Sequence, residues 1–102
     1  MVDYCLLSVP QPGLYMKNLL IIVKFTKPEL TYSTWRKVFD SDAQAQSTFW
    51  RGTIVGHVDD TTAMISTEII DLAAMAAFMQ ANGSRFADLG VEHEVYALTP
   101  RA

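Results

Sequence analysis

The 102-residue chain has a single cysteine, Cys5, so an intrachain disulfide is excluded and a reducing setting, the cytoplasm, is expected. Basic residues are scarce: eight Lys and Arg against eleven Asp and Glu give a net charge of −3. No basic run is present that would neutralise several phosphates, so nucleic acid is not an expected partner. No apolar stretch approaches the ~20 residues of a membrane span, and Leu19-Leu20-Ile21-Ile22-Val23 stops at Lys24, which excludes a membrane partner of that kind. The opening residues lack a basic region followed by a long apolar one, so no secretion signal is read. Cysteine and histidine are not spaced as a zinc site, and the two histidines form neither HxH nor HxxxH. No metal and no cofactor are therefore expected. Gly52, Gly56, Gly83 and Gly90 make no phosphate-binding loop, and no serine sits in a glycine-flanked elbow.

What remains is a chain that is 50% apolar and 19% charged, enough for one packed core. Residues 1–15 stand apart, because Pro10, Pro12 and Gly13 break any periodicity. They are expected to form an irregular or strand-like extension, followed by one domain over residues 16–102. Leu19 to Thr26 is apolar on both faces and rich in branched side chains, the pattern of a buried strand. Thr31 is placed to cap a helix with Trp35, Val38 and Phe39 on one side. Asp40-Ser41-Asp42 interrupts that helix before Ala43 to Gln46 continues it.

Two β-branched runs follow, Arg51 to Val58 and Thr62 to Ile70, around Asp59-Asp60-Thr61, which is a hairpin signal. With Asp59 facing Thr62, a regular ladder pairs Val58 with Ala63, Gly56 with Ile65 and Ile54 with Thr67. It then pairs His57 with Met64, Val55 with Ser66 and Thr53 with Glu68 on the other face. Asp71 caps an Ala-rich helix carrying Leu72, Met75, Ala76 and Met79, and Asn82-Gly83 is expected to end it in a left-handed turn. A short helical turn with Phe86 and Leu89 closes at Gly90, and the last strand runs from Val91 to Leu98.

Strand, helix, strand, strand, helix, strand is the order of the ferredoxin-like βαββαβ fold, an α+β class. It predicts a four-stranded antiparallel sheet with two helices on one face. The other face of so apolar a sheet needs cover, and a second copy of the chain is the most economical one, so a homodimer is expected.

Trp35-Arg36 with Phe39-Asp40, the hairpin ending near Asp59-Asp60, Asp71 with Ala76 and Phe78, and Leu89-Gly90-Val91 resemble the dimeric α+β barrel proteins. That group includes antibiotic-biosynthesis-monooxygenase-like domains and many uncharacterised bacterial proteins, and the resemblance spans about Lys17 to Leu98. It implies two sheets facing each other across a dimer and a pocket between each sheet and its helices. Relatives use Asn, Trp, Tyr or His there, but no such set transfers by motif, since Asn18 precedes the first strand.

A pocket for a small hydrophobic ligand would draw on Trp35, Phe39, Trp50, His57, Met64, Ser66 and Glu68. His57 is the catalytic candidate, because imidazole titrates near neutrality, although a hydrogen-bonded interface histidine is the commoner use of such a residue. His93, between Glu92 and Glu94, reads as a solvated strand end. Trp35 and the methionines read first as core, and Trp50 as a half-buried anchor or dimer contact. Three functions are compatible with these residues. The chain is a homodimer binding a small hydrophobic molecule, a cofactor-independent monooxygenase or isomerase for an aromatic substrate with His57 as base, or a structural or regulatory interaction module whose extension at residues 1–15 grips a partner.

Overall fold

Strand β1 (Leu19–Phe25) alternates strictly, with Leu19, Ile21, Val23 and Phe25 buried and Leu20, Ile22 and Lys24 on the opposite face. The computed structural model describes residues 17–99, and the expected extension at residues 1–15 lies outside them. Around β1 are α1 (Tyr32–Ser41), α2 (Ala43–Gln46), β2 (Trp50–Asp59), β3 (Thr62–Ile69), α3 (Leu72–Ala81), α4 (Gly83–Leu89) and β4 (Val91–Ala97). The sheet order is β2-β3-β1-β4 with every neighbour antiparallel. This is the ferredoxin-like α+β arrangement.

The local signals act as their chemistry requires. Thr31 Oγ1 accepts from the Thr34 amide at 3.2 Å, and Asp71 Oδ1 accepts from the Ala74 amide at 2.9 Å, so each long helix starts on a side-chain cap. The break between α1 and α2 falls at Asp42. At the end of α3 the expected left-handed turn is absent. Asn82 has φ −110° and ψ 8°, its side chain donates to the Phe78 carbonyl at 2.9 Å, and the chain continues directly into α4. The left-handed residue is Gly90, at φ +97°, which closes α4 and leads into β4.

The core lies between the helices and one face of the sheet. Trp35 from α1, Met75 from α3, and Phe49 and Trp50 at the entry to β2 pack onto the buried β1 residues, Ala63 and Ile65 of β3, and Val91 of β4. Trp50 is a core residue at 7% exposure, and its indole N–H points at Met75 Sδ, 3.4 Å away, so the reading of it as a half-buried anchor or dimer contact is corrected.

The hairpin register differs from the regular ladder. Asp59 faces Thr62 as expected, but His57 pairs with Ala63, Gly56 with Met64, Val55 with Ile65 and Ile54 with Ser66. Val58 is an extra residue at a bulge, and one extra residue moves every following side chain to the other face. A second irregularity lies between Arg51 and Ile54, where Gly52 takes φ +64° and Thr53 bonds the Thr67 hydroxyl at 2.8 Å. His57 therefore turns to the helix face and leaves Met64, Ser66 and Glu68 on the outer face, which corrects the expected grouping. The registers align one row across the whole sheet, His57, Ala63, Val23 and His93, on the helix face.

Candidate functional site

Between sheet and helices lies a cavity of about 30 Å³, walled by Trp35, Val38, Phe39, Trp50, Phe78, Met79, Phe86 and Leu89 over a floor of Ile21 and Ile65. Asp42, Gln46 and His93 are its polar lining. The wall is aromatic because α1 presents Trp35 and Phe39 one turn apart, with ring centres 5.0 Å from each other. Trp50 continues the row at 6.4 Å from Phe39, and Phe49, Phe78 and Phe86 follow in contact from one ring to the next.

His93 reaches this cavity because it pairs with the fully buried Val23 and shares its face. It is half-buried, it meets the Phe86 ring edge-on at 5.2 Å, and burial pushes its imidazole below the ordinary value of 6.5. The reading of His93 as a solvated strand end is thereby corrected. Alternation did carry the signal: in an antiparallel β4 beside β1, the residue two after Val91 returns to Val91's buried face.

Asp42 and Arg85 close the rim. Arg85 Nη2 donates to Asp42 Oδ2 at 2.5 Å, tying the α1–α2 junction to α4, and its guanidinium lies 5.1 Å from the centre of the Phe86 ring. One exposed side chain thus covers two lining residues. Gln46 donates its amide to the Phe39 carbonyl at 3.0 Å, which leaves its own carbonyl oxygen as an acceptor.

His57 lies elsewhere. It is exposed and stacks on Tyr32 at 4.1 Å and 6°, beside an open cleft of about 520 Å³ formed by the β1–α1 connection and the hairpin tip. Of the expected pocket residues, the fold brings Trp35, Phe39 and Trp50 together. It places His57 in the separate cleft and Met64, Ser66 and Glu68 on the outer face of the sheet. There Glu68 pairs with Arg51 through two bonds of 3.0 and 3.1 Å, and Ser66 lies between Leu20 and Ile54. Asn18 is structural: its side-chain oxygen accepts from the Ile69 amide at 2.9 Å and its carbonyl from the Leu98 amide at 2.8 Å. Among the described residues no three His, Cys, Asp or Glu side chains are grouped to hold a metal, and no helix is long and apolar enough to cross a membrane.

The architecture has a counterpart among solved structures. A proposed antibiotic biosynthesis monooxygenase from Deinococcus radiodurans superposes with a TM-score of 0.57 over 82% of this chain and 92% of that one. The fold is shared. Sequence identity is 14%, so the likeness carries architecture and not chemistry. No family model and no curated protein matches the chain.

Proposed function

We propose that the chain is a homodimeric protein of the dimeric α+β barrel type that binds a small hydrophobic molecule between its sheet and helices. The observation that carries the binding reading is the convergence of an aromatic wall with a half-buried histidine in one cavity. Ligand sites are apolar hollows with a few placed polar groups, and this hollow has that composition. At about 30 Å³ the cavity has room for one or two water molecules. Binding an organic ring thus requires the helices to part, and the Asp42–Arg85 bridge is the connection that must release. With Arg85 45% exposed, that bridge is a weak, solvent-screened tie.

The outer sheet face supports the dimer. Leu20, Ile22, Met64, Ile54 and Tyr96 lie on it, with Ile54 59% and Tyr96 49% exposed, and the Lys24–Glu94 and Arg51–Glu68 pairs flank them. An apolar centre with a charged rim is the composition of a protein interface.

Two measurements test the proposal. Light scattering on the eluted protein is expected to give twice the 11.4 kDa chain mass, and a chain-mass species across micromolar concentrations rejects the dimer. Titration with small aromatic probes is expected to move the NMR signals of the Trp35 and Trp50 indole N–H groups, with faster association in Arg85→Ala. Unmoved signals at millimolar probe reject the cavity as a ligand site.

A cofactor-independent oxygenase or isomerase is the second reading, favoured by the neutral imidazole in the cavity. In it His93 is the base, because His57 does not reach the enclosed space.

A further inference from the structure

The polar lining of the cavity is unbalanced. Asp42 is a carboxylate and offers acceptors alone, and Gln46 has one of its two amide N–H donors taken by the Phe39 carbonyl, which leaves an oxygen with two lone pairs against one N–H. The Asp42 charge is already matched by Arg85. His93 completes the set: its ring touches Phe86 by an edge, and among the described residues no protein group is hydrogen-bonded to either ring nitrogen. A neutral imidazole offers one acceptor nitrogen and one N–H, and burial holds His93 on the neutral side. A ligand that leaves these acceptors unpaired loses water from them without replacement, and one that brings a net negative charge meets no Lys or Arg among the described lining residues.

We propose that His93 is the specificity-determining residue of this cavity and that, with Asp42 and Gln46, it selects a neutral aromatic molecule carrying a hydroxyl or N–H donor over an apolar or anionic one of the same shape. This rests on the cavity being the ligand site. The aromatic body is set by Trp35, Phe39 and Phe86, and the donor by the acceptors in the polar lining. A positively charged ligand is disfavoured too, since ion pairing with Asp42 would compete against Arg85 in a largely apolar enclosure.

Phenol, toluene and benzoate form the test set, because they differ in one substituent: a donor, a methyl group and a carboxylate. Affinities are measured by NMR titration on the full chain at pH 7.5, for the parent and for His93→Leu and His93→Gln. The phenol-to-toluene affinity ratio is expected to fall about tenfold in His93→Leu, the scale of one lost buried hydrogen bond. It is expected to stay within about threefold of the parent in His93→Gln, which keeps a hydrogen-bonding group. Benzoate is expected to bind at least about tenfold more weakly than phenol. An unchanged ratio in His93→Leu, with both probes still bound, overturns the role of His93 and leaves the cavity as a site. Benzoate binding as tightly as phenol overturns the selection for neutral ligands. If neither phenol nor toluene binds the folded parent, the cavity reading fails and this inference fails with it.

Discussion

His57 and His93 end the same row of the sheet, one on each edge strand, on the same face and separated only by Ala63 and Val23. Their surroundings are opposite. At β4 the α4 helix brings Phe86 against the imidazole, whereas at β2 the imidazole stacks on Tyr32, lies within charge range of Asp59 and stands exposed beside an open cleft. The sheet therefore does not decide which histidine has a chemical role. The helices do, by covering one edge and leaving the other open. A histidine that loses water, as His93 does, is pushed toward its neutral form and becomes a hydrogen-bonding group inside an apolar space.

Trp35 stands between these two environments, with its ring 5.7 Å from Tyr32, which backs His57, and 5.0 Å from Phe39, which lines the cavity. It is 4% exposed, so Trp35→Ala removes a large buried ring that lines the cavity and packs against Tyr32. A loss of about 3–5 kcal/mol is expected in urea unfolding, together with water reaching His93. A loss below about 1 kcal/mol would mean that the aromatic row does not hold the two regions apart.

Gly90→Ala sharpens the comparison at the start of the strand that carries His93. Gly90 has φ +97°, and an added Cβ would lie 2.7 Å from Lys27 Cγ and 2.9 Å from its Cδ. The Lys27 ammonium also donates to the Asp88 carbonyl, and the Thr26 amide donates to the Gly90 carbonyl at 2.8 Å, so neither side gives way without losing a bond. The expected cost is about 1–2 kcal/mol, read as a lower urea midpoint at unchanged slope.

Acid tests the enclosed histidine directly. His93 has a folded value below 6.5, so between that value and 6.5 the unfolded chain binds more protons than the folded one. Stability contributed by neutral His93 is complete above 6.5 and is lost as pH falls through the window. Asp59, held low by the Thr61 amide, and Glu94, held low by its hydrogen bond from Lys24, lose their contributions only in the carboxylate range. Urea midpoints measured from pH 7.5 to 5 are expected to decline in the parent and to flatten in His93→Leu. An equal decline in both places the acid sensitivity elsewhere.

The fold was legible because its evidence is local. Strict alternation in β1, caps at Thr31 and Asp71, and the break at Asp42 are each written in adjacent residues. The site was less so. Trp35 and Phe39 are one helical turn apart, and their meeting follows from spacing alone. The grouping of His57 with Ser66 and Glu68 assumed a regular hairpin, and the bulge at Val58 reversed it. A bulge is chosen by tertiary packing, here the burial of Val55 and Ala63 on the helix face, and nothing in Gly56-His57-Val58 announces it. His93 was misplaced for another reason. The two glutamates beside it suggested solvent, while the pairing of β4 with β1 that buries it connects residues about seventy positions apart.

The smallest effect is expected at His57, and it follows from the same bulge. On a regular ladder His57 would face Met64 as a buried interface group, and its removal would leave a partner unpaired at a cost of about 1–3 kcal/mol. In the observed register it is exposed, and among the described residues its ring contact is the parallel stack on Tyr32. His57→Ala removes that stack and little else, so a loss of about 0.5 kcal/mol is expected, at the low end for an aromatic pair because water covers the outer side of the ring. Oligomeric mass and phenol affinity should remain those of the parent, since the ring reaches neither the outer face nor the cavity. The double variant with Tyr32→Ala makes the test specific: the two losses should be less than additive by about the worth of the stack. Full additivity would show that the stack carries no energy, and a change in mass with His57→Ala alone would place this histidine in an interface.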